Sequence, residues 1–212
     1  MKRVLLLCCC IVAFASHAQS GMGVRFGVQG NFTTINLPGP TINGVEPLKD
    51  VYGTGLGGGA HLDFNIPLLT FRLSGDYITF APDNDKFRDN LAQLTGSAAS
   101  EFSIEGGRID IFSLALNGKY SFLDALPIVS PYITGGFGLA RLEAQETKIL
   151  FQGQPSNTFA GKSSETEAQF NAGAGVDVNL VGIAIYLEAK YTWVTTEGGT
   201  STYVPITVGV TF

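Results

Sequence analysis

Cysteine, histidine and basic charge are all scarce in this sequence. The three cysteines, Cys8, Cys9 and Cys10, stand together near the N-terminus, and the two histidines are His17 and His61. Thirteen Lys and Arg residues stand against 18 Asp and Glu residues, which gives a formal net charge of −5. An acidic chain lacks the basic surface that nucleic-acid binding requires, so we predict no nucleic-acid partner.

The main apolar run is short and lies at the start of the chain. Lys2 and Arg3 precede an apolar stretch at 4–15, and small residues follow it. This order is typical of a secretory signal peptide, and the stretch is shorter than the roughly 20 residues that a membrane-spanning helix needs. We therefore predict a signal peptide at 1–18. A lipoprotein leader that ends before Cys8 is the alternative, but its apolar segment would be unusually short.

Cleavage after residue 18 removes every cysteine and leaves His61 as the only histidine. The mature chain, 19–212, then contains no disulfide, no thiolate nucleophile and too few ligands for the common zinc sites. We predict no metal and no cofactor. The 27 glycines and the few charges of the chain favour one all-β domain over a helical bundle or a disordered chain.

Polar and apolar residues alternate along the chain from residue 23 onward. In the last segment Val204, Ile206, Val208, Val210 and Phe212 share one face, because successive side chains of a strand point to opposite sides. An apolar face backed by a polar one is the pattern of a transmembrane β-strand, with lipid on one side and a polar interior on the other. Eight such strands are predicted, at 23–34, 53–65, 69–80, 108–122, 131–143, 167–179, 183–194 and 203–212.

The connections between these strands alternate in length. Long ones at 35–52, 81–107 and 144–166, with an intermediate one at 195–202, are separated by short ones. Outer-membrane barrels have this rhythm of short periplasmic turns and long external loops. We predict an all-β fold, one eight-stranded antiparallel up-and-down transmembrane β-barrel with both termini in the periplasm. A soluble β-sandwich whose apolar faces pack together is the alternative.

Aromatic residues near the strand ends favour the barrel over the sandwich. We expect them to form two belts at the membrane interfaces. They are Phe32, Phe64, Phe71, Tyr77, Phe112, Phe122, Trp193 and Phe212. The fifth strand is the least decisive, because a bulge at Gly135 and Gly136 would shift which side chains face inward.

Three stretches carry a family resemblance. Residues 203–212, YVPITVGVTF, resemble the terminal strand that the outer-membrane assembly machinery recognises, and 118–122 and 131–139 look like the Bacteroidota outer-membrane β-barrel family, the PorT-like group. The OmpA-like and OmpW-like small barrels are more distantly similar. The resemblance covers the mature chain, and it implies an outer-membrane location, contact with lipid and assembly through the strand that ends at Phe212. It implies little about activity, because the family is functionally diverse.

The strand alternation places eight charged residues inside the barrel, four of each sign. They are Arg25, Asp63, Arg72, Asp76, Lys119, Asp177, Glu188 and Lys190. Buried charges are tolerated only when they are paired, so we predict a salt-bridge network that fills the lumen. A water-filled pore is the alternative, but eight strands seldom enclose an open channel.

Two further patterns suggest chemistry but lack the context for it. The glycines at 53–58 match G-x-G-x-x-G, yet they open a strand instead of linking a strand to a helix, so we expect them to permit curvature or to leave room for bulky luminal neighbours. His61 and Asp63 share one strand face, as a hydrolase pair might, but no activated serine motif accompanies them. A hydrogen-bonded luminal histidine is the favoured interpretation.

We predict no enzyme, and two classes of function remain. One is a structural or interaction barrel whose long loops bind an extracellular protein or glycan. The other is a narrow channel or transporter for small apolar molecules. The first is favoured, because the wall faces lipid and the lumen holds paired charge. Asp83, Asp85 and Asp89 in the second long loop would suit a hard cation, but they lack the EF-hand spacing and we expect a solvated acidic loop.

Overall fold

The computed structural model describes residues 23–36, 51–66, 69–122, 128–152, 154–160, 163–196 and 199–212. The predicted signal peptide lies outside the described residues. In chain order the elements are β1 (Val24–Asn36), β2 (Gly55–Ile66), β3 (Leu69–Phe80), α1 (Asn84–Thr95), a 3-10 turn (Ala99–Glu101), β4 (Phe102–Gly106), β5 (Ile109–Ser121), β6 (Val129–Ala144), β7 (Thr147–Phe151), β8 (Gln154–Ala160), β9 (Ser163–Leu180), β10 (Ile183–Thr196) and β11 (Gly199–Thr211).

Eight of the strands close into an antiparallel barrel. Each pairs with the next in the order β1, β2, β3, β5, β6, β9, β10 and β11, and β11 returns to β1 from Gly27 opposite Thr211 to Asn36 opposite Thr202. Closure leaves no open edge in the barrel wall, which is the condition for a sheet to exist in hydrocarbon. The predicted eight-stranded antiparallel barrel is confirmed.

The two ends of the barrel differ in their connections. At the turn end, as we call it, the strands are joined by short segments at 67–68, 122–128 and 181–182; at the opposite loop end lie the long connections. The connection predicted at 195–202 is shorter than expected, because β10 and β11 stay paired up to Thr196 and Gly199. Backbone pairing continues there although the side chains are mostly polar and give no apolar alternation.

The fifth barrel strand, β6, keeps a constant register. It pairs with β5 from Ile109 opposite Ala144 to Ser121 opposite Tyr132 without a shift, so Gly135 and Gly136 form no bulge. Tyr132 is buried and points inward. This settles the one strand whose parity the sequence left open.

The outer surface of the barrel is apolar. All eight aromatic residues predicted for the belts are exposed on it. Phe64, Phe71, Phe122 and Phe212 lie toward the turn end, and Phe32, Tyr77, Phe112 and Trp193 lie toward the loop end. Between the belts run exposed Val, Leu and Ile side chains such as Leu114, Ile133 and Val208. This surface suits lipid and not water.

The described parts of the long connections at the loop end form a unit that we call the loop-end unit. It contains α1 and a three-stranded antiparallel sheet in the order β4, β7 and β8. Its core is formed by buried apolar side chains from the helix, the sheet and the segment before β2. They are Val51, Phe87, Leu91, Phe102 and Ile104. No helix among the described residues is long and apolar enough to span a membrane.

The long connections at 81–107 and 144–166 contain regular secondary structure, which the sequence analysis did not predict. Asp83 caps α1 by accepting hydrogen bonds from the backbone N–H groups of Asp85 (3.1 Å) and Lys86 (3.3 Å), and Gly96 ends the helix in the left-handed conformation at φ 73°. Phe87 and Leu91, one turn apart, point into the core. The acidic cluster considered as a solvated loop or a cation site is instead the cap and the first turns of a helix.

Candidate functional site

The lumen contains its most tightly held ion pair toward the turn end. Asp63 on β2 and Arg72 on β3 lie opposite each other, and two hydrogen bonds join them, Nε to Oδ1 at 2.7 Å and Nη2 to Oδ2 at 2.8 Å. Both side chains are almost fully buried, and the guanidinium carbon lies 4.3 Å from the ring centre of Tyr186. The guanidinium group of Arg72 therefore binds one carboxylate through two hydrogen bonds and stacks on the face of an aromatic ring.

Two more ion pairs lie in the lumen, and we call the three pairs together the charged layer. Lys119 Nζ lies 3.2 Å from both carboxylate oxygens of Asp177 and 3.9 Å from the ring centre of Tyr132. Lys190 Nζ lies 3.0 Å from Glu188 Oε1, and the Tyr132 hydroxyl donates to Glu188 Oε2 at 3.0 Å. Tyrosine hydroxyls and rings thus link the pairs into one network.

Arg25 and Asp76 do not join this network as predicted. Arg25 lies opposite Asp63 in the β1–β2 register, but Arg72 takes both oxygens of that carboxylate, so Arg25 donates to Asn65 Oδ1 at 3.2 Å. Asp76 Oδ1 accepts from the side-chain amides of Gln29 and Asn31 (2.7 Å for Asn31). Within the part of the chain that the structure describes, no Lys or Arg nitrogen lies within ion-pair distance of Asp76.

His61 is a buried member of a neutral hydrogen-bond chain. Its Nδ1 lies 3.0 Å from Gln29 Oε1 and its Nε2 lies 3.0 Å from Thr211 Oγ1. The Tyr186 hydroxyl donates to the same Gln29 oxygen, and its ring meets the imidazole edge to face at 5.5 Å. Asp63, the partner considered for a catalytic pair, is bound to Arg72 instead. The geometry therefore agrees with the interpretation of His61 as a luminal hydrogen-bonding residue.

Sequence reasoning missed the inward tyrosines that bridge the pairs. Tyr186 shares a strand face with Glu188 and Lys190, which was a usable signal, whereas the uncertain parity of β6 concealed Tyr132. Each ring lies against a glycine of the neighbouring strand. A Cβ on Gly209 would come within 2.5 Å of the Tyr186 ring, and one on Gly175 would collide with the Tyr132 hydroxyl. Glycine is required at both positions so that a large ring can cross a narrow lumen.

The loop-end half of the lumen contains a cluster of apolar side chains. The cluster contains Ile78, Phe80, Ile109, Ile111, Ala140, Val194 and Tyr203. Tyr52, just before β2, packs against this cluster and against the core of the loop-end unit, and its hydroxyl donates to the Gly107 carbonyl oxygen at 2.8 Å. The glycines of the 53–58 motif enter β2, with strand following and no helix, so the structure contains no dinucleotide-type turn there.

The closed barrel, its apolar exterior and its polar interior are the attributes of an outer-membrane protein, and the family comparison agrees with them. Residues 4–212 match the family described as the outer membrane protein beta-barrel domain. The chain belongs to this family. Members are barrels of the bacterial outer membrane, and the chain is therefore an outer-membrane protein. No curated protein matches the sequence.

The solved structures similar to this family member include small outer-membrane barrels. Neisserial surface protein A has a TM-score of 0.58 at 12% identity, with 91% of this chain and 98% of that chain covered. The N-terminal β-barrel domain of OprF from Pseudomonas aeruginosa has a TM-score of 0.45 at 14% identity, with 89% and 97% covered. Ail, the attachment invasion locus protein of Yersinia pestis, has a TM-score of 0.44 at 11% identity, with the same coverage. At these identities the likeness to Neisserial surface protein A shows a shared fold.

Proposed function

We propose that this outer-membrane barrel serves an interaction role, and that its loop-end unit presents a surface to a protein or glycan outside the cell. The observation that carries the proposal is the core of that unit. A connection that served only to join strands would need no helix with a capped start, no paired sheet and no buried Phe87 and Phe102. A packed core holds the exposed residues of the unit in fixed positions, as a binding surface requires.

The rest of the molecule offers less scope for specific binding. The outer wall is apolar and faces lipid, which is the partner we expect for it. The lumen holds ion pairs at one level and an apolar cluster at the next. A narrow channel for small apolar molecules has less support, because the apolar side chains at the loop end pack against one another.

The orientation belongs to the same proposal. With the turn end in the periplasm, both termini lie there and the loop-end unit lies outside the cell. We also propose that β11, which ends beside an exposed Phe212, is recognised by the outer-membrane assembly machinery, and that the chain falls in the PorT-like group, as the sequence resemblance implies.

Site-specific photo-crosslinking in intact cells tests the interaction role. A crosslinking residue at Glu105, exposed on β4, should capture an extracellular protein or glycan. The same residue at Leu139, exposed on the barrel wall, is the matched control and should capture only lipid. Capture of the same macromolecule at both positions would contradict the proposal, since it would not depend on the loop-end unit.

A second experiment separates the loop-end unit from the lumen. Short glycine and serine linkers in place of 83–105 and 146–161 should abolish capture and leave outer-membrane fractionation and heat-modifiable migration intact, because strand pairing in the barrel does not involve these segments. If the shortened protein keeps its phenotype in cells while Arg72→Ala loses it, the lumen is the active part and the channel function replaces the one proposed.

A further inference from the structure

The strand β9 extends beyond its neighbour β10 at the loop end. Its pairing with β6 begins at Ser163 opposite Ala144, whereas its pairing with β10 begins only at Gln169 opposite Val194. Among the residues that the structure describes, the stretch 163–167 therefore has a strand on one side and none on the other. We call this stretch the open edge.

The open edge presents backbone groups to a further strand. Successive residues of a strand direct their N–H and C=O groups to opposite sides. The N–H of Asn179 donates to the Ile128 carbonyl oxygen on the β6 side, and the register of β9 against β6 is constant. Odd-numbered residues of β9 therefore bond toward β6. Ser164 and Thr166 direct their donors and acceptors to the side without a strand, where an edge can be extended.

The open edge lies beyond the apolar wall, where strand addition is possible. On the outer face of β9 the last large apolar residue is Phe170, opposite Trp193 of the aromatic belt toward the loop end. Beyond it the outer face carries Thr166 and Ser164, which are polar and exposed. Lipid excludes an unpaired edge, but water allows one.

The charge of the open edge favours a basic partner. Glu165 and Glu167 lie two residues apart on one face of β9, and no Lys or Arg nitrogen of the described residues lies within ion-pair distance of either. Because Ser164 and Thr166 make the backbone bonds, the two acids occupy non-hydrogen-bonded positions, where opposing side chains come closest. A strand with Lys or Arg at alternate positions complements both acids.

The same acids disfavour a second copy of the open edge as the partner. In an antiparallel pair of two copies, the hydrogen-bonded Ser164 and Thr166 must lie opposite even-numbered residues. Glu165 and Glu167 of one copy then lie opposite the same two acids of the other. Like charges directly opposite each other are destabilising, and charged edges keep identical chains apart.

We propose that the open edge binds an extended segment of an extracellular protein, which adds to β9 as a further strand and carries Lys or Arg at alternate positions. The proposal rests on the interaction role proposed above and narrows the partner from a protein or glycan to a basic peptide segment. Backbone hydrogen bonds to Ser164 and Thr166 supply binding, and contacts with Glu165 and Glu167 supply specificity.

The test is peptide binding to the full barrel refolded into phosphatidylcholine vesicles, which carry no net charge. The probe is a fluorescent heptapeptide in which lysine alternates with threonine, and its anisotropy should rise saturably with the barrel concentration. N-methylation of its threonines removes the N–H groups that face the open edge and should weaken binding by about tenfold. N-methylation of its lysines, whose N–H groups face away, is the matched control and should not. Equal affinity of the two methylated peptides would overturn the proposal.

Charge reversal tests the proposal from the side of the protein. The double variant Glu165→Lys with Glu167→Lys should bind the lysine peptide at least about tenfold more weakly and should prefer a peptide with glutamate in place of lysine. Glu105→Lys, at an exposed acid of β4, is the control and should keep the affinity at physiological ionic strength, which screens distant charges. An equal loss in the control would overturn the proposal, as would an unchanged preference in the double variant.

The outcome is separable from that of the proposed function. If crosslinking from Glu105 captures an extracellular partner in cells but the lysine peptide does not bind the barrel, the interaction role stands and the open edge is overturned as a binding site. If the peptide binds with the expected methylation pattern and Glu105 captures nothing, the open edge stands and the role proposed for the loop-end unit is overturned.

Discussion

The barrel and the loop-end unit are both built from antiparallel strands, yet their polarity is opposite. In the barrel, Leu114 and Val208 face outward and Asp63 and Arg72 are buried. In the loop-end unit, Phe87 and Phe102 are buried, and the ion pair between Asp85 and Arg88 lies on the surface. The same alternation of residues along a strand thus serves two solvents, lipid for one region and water for the other.

The difference shows that burial has a different meaning in each region. In the loop-end unit the hydrophobic effect holds the core, because water surrounds it. In the barrel the exterior gains nothing from hiding apolar groups, so stability depends on backbone pairing, on filling the lumen and on satisfying its charges. Variants with the same change in both regions should separate these two contributions.

The largest expected effect comes from the same substitution in a buried and an exposed ion pair. Asp63→Asn leaves Arg72 buried without a counter-charge and should cost about 3–5 kcal/mol of unfolding free energy. Asp85→Asn breaks a pair in which the acid is 81% exposed, and it should cost at most about 0.5 kcal/mol. Urea titration of both variants in lipid vesicles measures the difference. Similar costs would show that the lumen is hydrated and that the comparison fails.

A cavity in the loop-end unit should affect that unit and not the barrel. Phe87→Ala removes a buried ring from the core and should reduce the local stability of the unit by about 3–5 kcal/mol. Limited proteolysis should then cleave within 83–105 much faster, while heat-modifiable migration of the barrel stays unchanged. Loss of the migration shift would show instead that the barrel depends on the loop-end unit for its stability.

A charge on an outward-facing strand position should distinguish lipid from water directly. Val208→Arg places a guanidinium on the apolar wall near the middle of β11 and should cost about 2–4 kcal/mol. Ser103→Arg, at an exposed position of β4, should cost less than about 0.5 kcal/mol because water solvates the new charge. Equal costs in vesicles would mean that Val208 does not face hydrocarbon.

The smallest expected effect concerns Tyr52, which joins the two regions. Burial raises the pKa of its phenol above the ordinary value. The stability that follows from the raised pKa is fully present at neutral pH and is lost as the pH rises from about 10 through the pKa of the folded state, since the opened state ionises first. Ultraviolet difference titration against Tyr52→Phe should show Tyr52 ionising above pH 10, and ionisation near 10 would contradict its burial.

Tyr52→Phe also removes one hydrogen bond, that to the Gly107 carbonyl oxygen. At neutral pH this should weaken the hold of the loop-end unit on the barrel by about 0.5–1.5 kcal/mol. The rate of proteolysis within the unit measures the loss, and an unchanged rate would show that packing alone holds the two regions together.

The sequence predicted the barrel well because lipid imposes a period of two on every strand. β3 has the bounds that alternation predicted, and Asp63 and Arg72 face inward as expected. The choice of partners was less accessible: Arg25 and Arg72 both lie opposite Asp63, and only side-chain geometry decides that Arg72 binds it. By count alone Asp76 belongs to a balanced set of four acids and four bases. A count of charges does not show which of them lie at the same level along the barrel axis.

The sequence analysis did not predict the loop-end unit, although its helix has clear signals. The start of α1 at Asp83, the apolar pair Phe87 and Leu91 and the end at Gly96 are each a recognised helix signal. In the sequence these signals lie within long connections, whose length and position fit the barrel rhythm without any helix. The short strands β7 and β8 pair with register shifts, and their alternation is correspondingly weak.

Closure of the barrel by β1 and β11 also determines how the chain must fold. The two strands that pair from Gly27 opposite Thr211 to Asn36 opposite Thr202 are separated by almost the whole sequence. Such distant contacts fold slowly, because a long loop must close before they form. Until β11 is available, one edge of β1 is unpaired and the apolar side chains of the wall are not yet in contact with lipid. During export the chain therefore depends on protection from aggregation for a period set by its topology.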